Sequence, residues 1–305
     1  MKFFSQLDIP RLEPPFSLSD RIVLLGSCFA DSIGEKMAAA GFCVLVNPFG
    51  TLYNPESLLQ AVRRLDSDSL YTADDCVPMG AGAGRICSFE HHTSFARADA
   101  EEFLSNANAK LQQTRDFWRS ANRVILTLGT SFVWRRNGRT VSNCLKRPAA
   151  EFTRSMLTVG QSTECLRAII SAHPEKAFLL TVSPIRHLSD GAHANTLSKS
   201  RLHLAAATIA DPESTSSDFG HYDQERDAHS GSAAAIAGYF PAYEIMMDEL
   251  RDYRFYSDDL IHPSPSAVSY IWERFLESSV VPSDLDRIRH NEQAARRLAH
   301  RSILE

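Results

Sequence analysis

The chain has 305 residues, 44% hydrophobic and 23% charged, an ordinary soluble make-up with room for one large α/β domain. A formal net charge of −5 excludes a general electrostatic attraction to nucleic acid or to an anionic membrane, since both need a basic face. No apolar run nears membrane-spanning length, the N-terminus breaks where a secretory h-region should continue, and the six cysteines show neither C-x-x-C nor zinc-like spacing; reduced thiols and a cytoplasmic location are expected.

Residues 1–20, with Pro10, Pro14 and Pro15, read as an extended lead-in. Ile22 to Leu25 is aliphatic without alternation, as a strand buried on both faces requires. Gly26, Ser27 and Cys28 break it, and Ile33, Met37 and Ala40 then recur at helical spacing up to Gly41. Cys43–Val46 is a second strand, ending in the breaker cluster Asn47-Pro48-Phe49-Gly50. Residues of about 51–122 are less regular and read as an inserted segment, with an amphipathic stretch near 55–65 and a helix near 97–120. Its turn Gly80-Ala-Gly-Ala-Gly84 lacks the Gly-Lys-Ser/Thr ending of a phosphate loop.

Val124–Leu128 and Phe178–Val182 are the third and fourth buried strands, closing in Gly129-Thr130-Ser131 and in Ser183-Pro184-Ile185-Arg186-His187. Helices are predicted near 159–172 and 198–210. Residues 211–232 form a polar loop, where His221, Asp223 and His229 match no metal-ligand spacing, so no metal and no cofactor is expected. An edge-like fifth strand over 238–244, helices near 245–251 and 266–277, and an arginine-rich helical tail at about 283–305 complete a single domain. The alternation predicts a parallel sheet with helices on both faces, whose ligands bind at the C-terminal ends of the strands.

Two groups carry chemistry at that edge. Ser27 is delivered by a strand to a helix N-terminus, where backbone N–H groups and the dipole favour a developing oxyanion. Its plain alternative is a helix cap, and Cys28 is a rival nucleophile because a helix N-terminus lowers a thiol's pKa. Asp259-Leu-Ile-His262 supplies a base and a carboxylate to orient it, though the same spacing also suits a cap and a surface imidazole.

Gly26-Ser-Cys-Phe-Ala30, Val46-Asn-Pro-Phe-Gly-Thr-Leu-Tyr-Asn-Pro55, Leu128-Gly-Thr-Ser-Phe-Val-Trp134, Thr181-Val-Ser-Pro-Ile-Arg-His187, Tyr239-Phe-Pro-Ala-Tyr-Glu-Ile245 and Asp259-Leu-Ile-His-Pro-Ser264 occur in this order. Over residues of about 20–280 the chain thereby resembles the GSCFA family, which is similar to the SGNH or GDSL-like hydrolases. The resemblance implies a three-layer α/β/α, flavodoxin-like fold with five parallel strands, and a serine esterase in which Ser27 is nucleophile, His262 general base and Asp259 the orienting acid. It also implies an oxyanion hole from the N–H groups of Ser27 and Gly50. The third-block asparagine is missing from Gly129-Thr130-Ser131, so Thr130, Ser131 or Asn143 is expected to donate instead. His91, His92, Lys146, Arg186 and His187 lie in segments expected at the same edge and suggest a partly cationic pocket for a small acylated, sugar-like substrate. Acyl transfer to a sugar hydroxyl uses the same triad, and a non-catalytic glycan- or metabolite-binding module is the reading from another class.

Overall fold

A computed structural model describes residues 5–80, 82–210 and 237–301. In chain order its elements are β1 (Arg21–Gly26), α1 (Cys28–Ala40), β2 (Cys43–Val46), α2 (Pro55–Asp66), the short hairpin β3 (Val77–Pro78) and β4 (Ile86–Cys87), and α3 (Ala100–Ser120). There follow β5 (Arg123–Leu128), β6 (Phe132–Arg136), β7 (Arg139–Val141), β8 (Thr153–Met156), α4 (Val159–Ser171), β9 (Ala177–Val182) and α5 (Ala192–Ala210). The last are β10 (Ala237–Tyr239), α6 (Ala242–Glu244, running on as a π-helical turn over Ile245–Leu250), α7 (Pro265–Ser279) and α8 (Leu285–Arg301).

The central sheet is wholly parallel, in the order β10-β9-β5-β1-β2. Its inner strands bury both faces, so residues alternate between two cores. Val23, Leu25, Val124, Leu126, Phe178 and Leu180 face one, under α2–α5; Ile22, Leu24, Ile125 and Leu179 face the other, under α1, α6 and α7. This is the expected three-layer, flavodoxin-like arrangement. The chain leaves β1 for β2 on one side and comes back to β5 on the other, so the crevice beyond the ends of β1 and β5 is the topological switch point.

The segment at 51–122 contributes to the main body: Leu58, Val62 and Leu65 of α2, and Phe103 and Leu111 of α3, lie in the first core. The fifth strand stops at Tyr239, earlier than expected, because Pro241 has no N–H to continue the ladder and α6 starts at Ala242. The antiparallel sheet β7-β6-β8 was not anticipated; its tight turn is Asn137-Gly138, with φ of 52° and 76°.

The first and last described segments are both tied to the body. Leu7 N–H donates to Glu249 Oε1 (2.8 Å), Arg274 Nη2 donates to Leu7 O (2.6 Å), and Phe16 packs on Phe275. Asn291 Nδ2 donates to Ala40 O (2.8 Å), seating α8 on the end of α1. No helix among the described residues is long and apolar enough to cross a membrane.

Candidate active site

Gly26 makes the turn from β1 into α1. Its φ is +152°, and a Cβ there would lie 2.2 Å from the Thr127 carbonyl oxygen, so only glycine lets β1 and β5 close at this point. Its N–H donates to Asn47 Oδ1 (2.9 Å), and Asn47 Nδ2 reaches Asp31 Oδ1 (2.7 Å), which staples the end of β2 to the turn. Ser27 is then the N-cap: it is fully buried and its Oγ accepts from the Phe29 N–H (3.3 Å). Cys28 is the first residue of the helix and remains partly exposed. Its Sγ lies 3.4 Å from His262 Nε2.

The imidazole is carried by the loop before α7. Asp259 Oδ1 accepts from the N–H groups of Ile261 (2.8 Å) and His262 (3.0 Å), and Oδ2 lies 2.6 Å from His262 Nδ1. A carboxylate only accepts, so Nδ1 carries the proton and Nε2 is left as the acceptor facing the thiol. These bonds, the His262 N–H first and its ring second, hold the Asp259 carboxyl down at about 2. The Arg186 side chain steadies the loop by donating to Leu260 O (3.0 Å) while it stacks over Tyr253 and Tyr256.

Sequence reasoning chose Ser27 as the nucleophile, with Cys28 as the rival; in the structure the Ser27 hydroxyl caps the helix through the Phe29 N–H, and the Cys28 side chain is the one against His262 Nε2. Burial pushes the Cys28 thiol above its ordinary value; its own backbone N–H opposes this, the charge of Asp31 adds to it, and the charge of Lys199 and the Tyr53 hydroxyl oppose it more weakly. Tyr53, whose hydroxyl accepts from Thr51 Oγ1 (3.0 Å), lines the same crevice beside Cys28, and its phenol is pushed up by burial.

Of the expected oxyanion donors, the N–H groups of Ser27 and Gly50 and the Ser131 hydroxyl are spent within the fold. Ser27 N–H donates to Thr127 O (3.2 Å), and Gly50 N–H closes a tight turn onto Asn47 O (2.8 Å). Thr130 Oγ1 lies 2.9 Å from Ser198 Oγ, Ser131 Oγ donates to the same oxygen (3.2 Å), and Asn143 Oδ1 accepts from the Leu145 N–H (2.8 Å). The Cys28 N–H, at the first position of α1, lies against its own sulfur.

The five residues expected to line the pocket separate. His91 is 1% exposed, bonded through Nδ1 to Ser88 Oγ (2.7 Å) among Phe49, Tyr71, Phe95 and Phe103, so it faces the core and no substrate. Burial drops it to about 3. Lys146 is exposed on the β7–β8 connection, beside the Gly80 turn, with no bond toward Cys28 or His262. His92 packs on Gly50 and its charge acts on Asp31 near the crevice. His187 lies edge-on to Tyr53, its Nε2 buried without a hydrogen-bond partner among the described residues, and burial lowers it to about 4. With Arg186 on the His262 loop, these two remain at the site.

Tyr53, Asn47 and Lys199 were missed as individual residues, although the first two stand in the quoted 46–55 motif. Among the described residues no group of three or more His, Cys, Asp or Glu is arranged to hold a metal ion, and His221, Asp223 and His229 lie outside them. No curated protein and no solved structure matches the chain at a significant level. The GSCFA family model matches residues 21–275, a stretch holding the whole sheet, the Gly26 turn and the Asp259–His262 loop, and the chain belongs to the GSCFA family.

Proposed function

We propose that the chain is an ester hydrolase that works through a thiol, with Cys28 as nucleophile, His262 as general base and Asp259 as the residue that orients it. The observation that carries this reading is the aligned set of contacts from Cys28 Sγ to His262 Nε2 (3.4 Å) and from Nδ1 to Asp259 (2.6 Å), at the switch point of the sheet. His262 takes the thiol proton as sulfur attacks the ester carbonyl. The oxyanion is met by the Cys28 N–H and the positive end of α1, and the imidazolium returns its proton to the departing alkoxide. Water then attacks the thioester with His262 again as base, freeing the acid and the thiol. His187 Nε2, His92 and Arg186 support a small acylated substrate rich in hydroxyl or carboxylate oxygens.

A second reading, acyl transfer to a sugar hydroxyl through the same thioester, is favoured by the openness of the base: the side chains of His262 and Asp259 are 44% and 46% exposed, leaving room for an acceptor alcohol beside Nε2. The non-catalytic alternative draws on the spent N–H groups of Ser27 and Gly50 but gives no role to an imidazole bonded to both a thiol and a carboxylate.

The test is incubation with p-nitrophenyl acetate, an acid quench and peptide mass mapping. One acetyl group on the Cys28 peptide, absent in Cys28→Ala and slowed about 100-fold or more in His262→Ala, is expected. A folded protein that is never acylated, or one acylated on Ser27, overturns the assignment. Adding sugar alcohols to the acetylated protein separates hydrolysis from transfer.

A further inference from the structure

Just before α2 the chain is pinned to the ends of two neighbouring strands, β1 and β5. Leu52 N–H donates to Gly26 O (2.8 Å), and Tyr53 O accepts from the N–H groups of Gly129 (2.9 Å) and Thr130 (2.8 Å). The Tyr53 ring lies over Gly129. A Cβ at that glycine would be 3.3 Å from Tyr53 Cδ1 and 3.3 Å from Ser27 Cβ, so the ring borders the turn that delivers Cys28 and uses room that a side chain at 129 would take. His187 meets it edge-on, with ring centroids 5.7 Å apart. The side chain is thus fixed at its backbone and along its ring, while it stays only half-buried.

The hydroxyl at the tip of that ring has one bond and one proton to spare. Thr51 Oγ1 donates to it (3.0 Å), which uses the phenol oxygen as an acceptor and leaves its own proton with no oxygen or nitrogen acceptor among the described residues. The phenol and the Cys28 thiol lie within side-chain hydrogen-bonding reach of each other. Attack by sulfur on an ester puts negative charge on the carbonyl oxygen at this place, and the N–H groups of Ser27 and Gly50 are already committed elsewhere. We propose that Tyr53 is a catalytic residue, its hydroxyl acting as the side-chain donor of the oxyanion hole in place of the backbone donors that the fold consumes. This rests on the reading of Cys28 as nucleophile.

As sulfur bonds to the carbonyl carbon, the carbonyl π pair moves onto oxygen, and the phenol donates a hydrogen bond to it without giving up its proton. When the carbon–oxygen double bond re-forms, the alkoxide leaves with the proton held by His262 and Tyr53 is unchanged. Burial pushes the phenol above its ordinary value; the Thr51 bond opposes this and the charges of Cys28 and Asp31 add to it, so the group keeps its proton at neutral pH, as a donor must. A donor already held in place costs no reorganisation as the charge develops.

The experiment compares two reactions of Cys28, both followed on its own peptide. Acylation by p-nitrophenyl acetate passes through an oxyanion; alkylation by iodoacetamide displaces iodide and forms none. In Tyr53→Phe, which removes one oxygen and keeps the ring, the ratio of acylation to alkylation is expected to fall about 10²-fold. Trifluoroacetone, a reversible probe whose thiol adduct carries the oxyanion, should lose affinity in the same variant by a similar factor. A ratio within about threefold of wild type in the folded variant overturns the inference, whether the two rates are unchanged or fall together, as they would if the phenol only braced the turn or only eased the thiolate. If Tyr53→Phe does not fold, Thr51→Val carries the test: it keeps the phenol and removes the group that orients it, the ratio should fall about threefold or more, and an unmoved ratio overturns the inference. If wild-type Cys28 is neither acylated by the ester nor alkylated faster than exposed Cys43, the nucleophile reading itself fails; if it is reactive and the ratio is indifferent to residue 53, only the role of the tyrosine fails.

Discussion

Replacing Ser27 by alanine separates a cap from a nucleophile. The hydroxyl accepts one hydrogen bond, from the Phe29 N–H at 3.3 Å, and is fully buried. Losing an N-cap of this kind costs about 1 kcal/mol, and leaving the Phe29 N–H without an acceptor in a dry environment adds up to about 1 kcal/mol more. Ser27→Ala should therefore lose about 1–2 kcal/mol in urea melts and about 2–3 °C in melting temperature. Ester acylation at Cys28 should stay within about threefold of wild type, because His262 Nε2 faces sulfur and not this oxygen. Cys28→Ala should do the reverse, with stability changed by less than about 1 kcal/mol and acylation abolished. The readouts are urea denaturation followed by circular dichroism and quantitative peptide mapping after a pulse of p-nitrophenyl acetate. Acylation lost in a folded Ser27→Ala protein and preserved in Cys28→Ala would refute the assignment of both residues.

Asp259→Asn should leave the fold intact and slow acylation by about 10²–10⁴-fold, since an amide cannot hold the Nδ1–H tautomer; a loss below about threefold would sink its orienting role. The low carboxyl pKa carries a sign: the stabilisation from Asp259 is present above the ordinary range near 4 and is lost as pH falls through about 2. For His91 the shift acts on an imidazole. The unfolded chain protonates near 6.5 and the native protein only near 3, so its contribution is full above pH 6.5 and fades between 6.5 and 3; ring-proton NMR should show no titration above pH 4. Arg274→Met leaves Glu249 buried without its cation and frees Leu7 O, and should cost about 3 kcal/mol in urea unfolding; a loss below about 1 kcal/mol would show that the pair is dispensable.

How far the molecule could be read from its sequence depended on the interaction concerned. The sheet strands were legible because a strand buried on both faces writes itself as an unbroken aliphatic run, as in Ile22–Leu25 and Val124–Leu128. Asn137-Gly138 was the readable sign of the β6–β7 turn, but the flanking residues, Arg135, Arg136 and Arg139, lack the apolar alternation that would have drawn attention to it. At the site the difficulty was a single step along the chain. Whether Ser27 or Cys28 is the cap depends on how Gly26 passes Thr127, a contact across 101 positions that no local pattern records. His91 and His92 are neighbours of one residue type, yet the first is inside an aromatic cluster and the second against Gly50. Backbone donors are the least visible groups of all, since the use of the Gly50 N–H is decided by the turn it closes.

The thiol and its imidazole stand 234 positions apart. During synthesis the sulfur emerges early and the ring among the last tenth or so of the GSCFA-matching stretch, after every strand of the central sheet has been made. A nascent or truncated chain thus carries a thiol with no base beside it. Under the function proposed above, reactivity is then a property of the finished molecule, and a prematurely terminated product is disarmed by the order of its own residues.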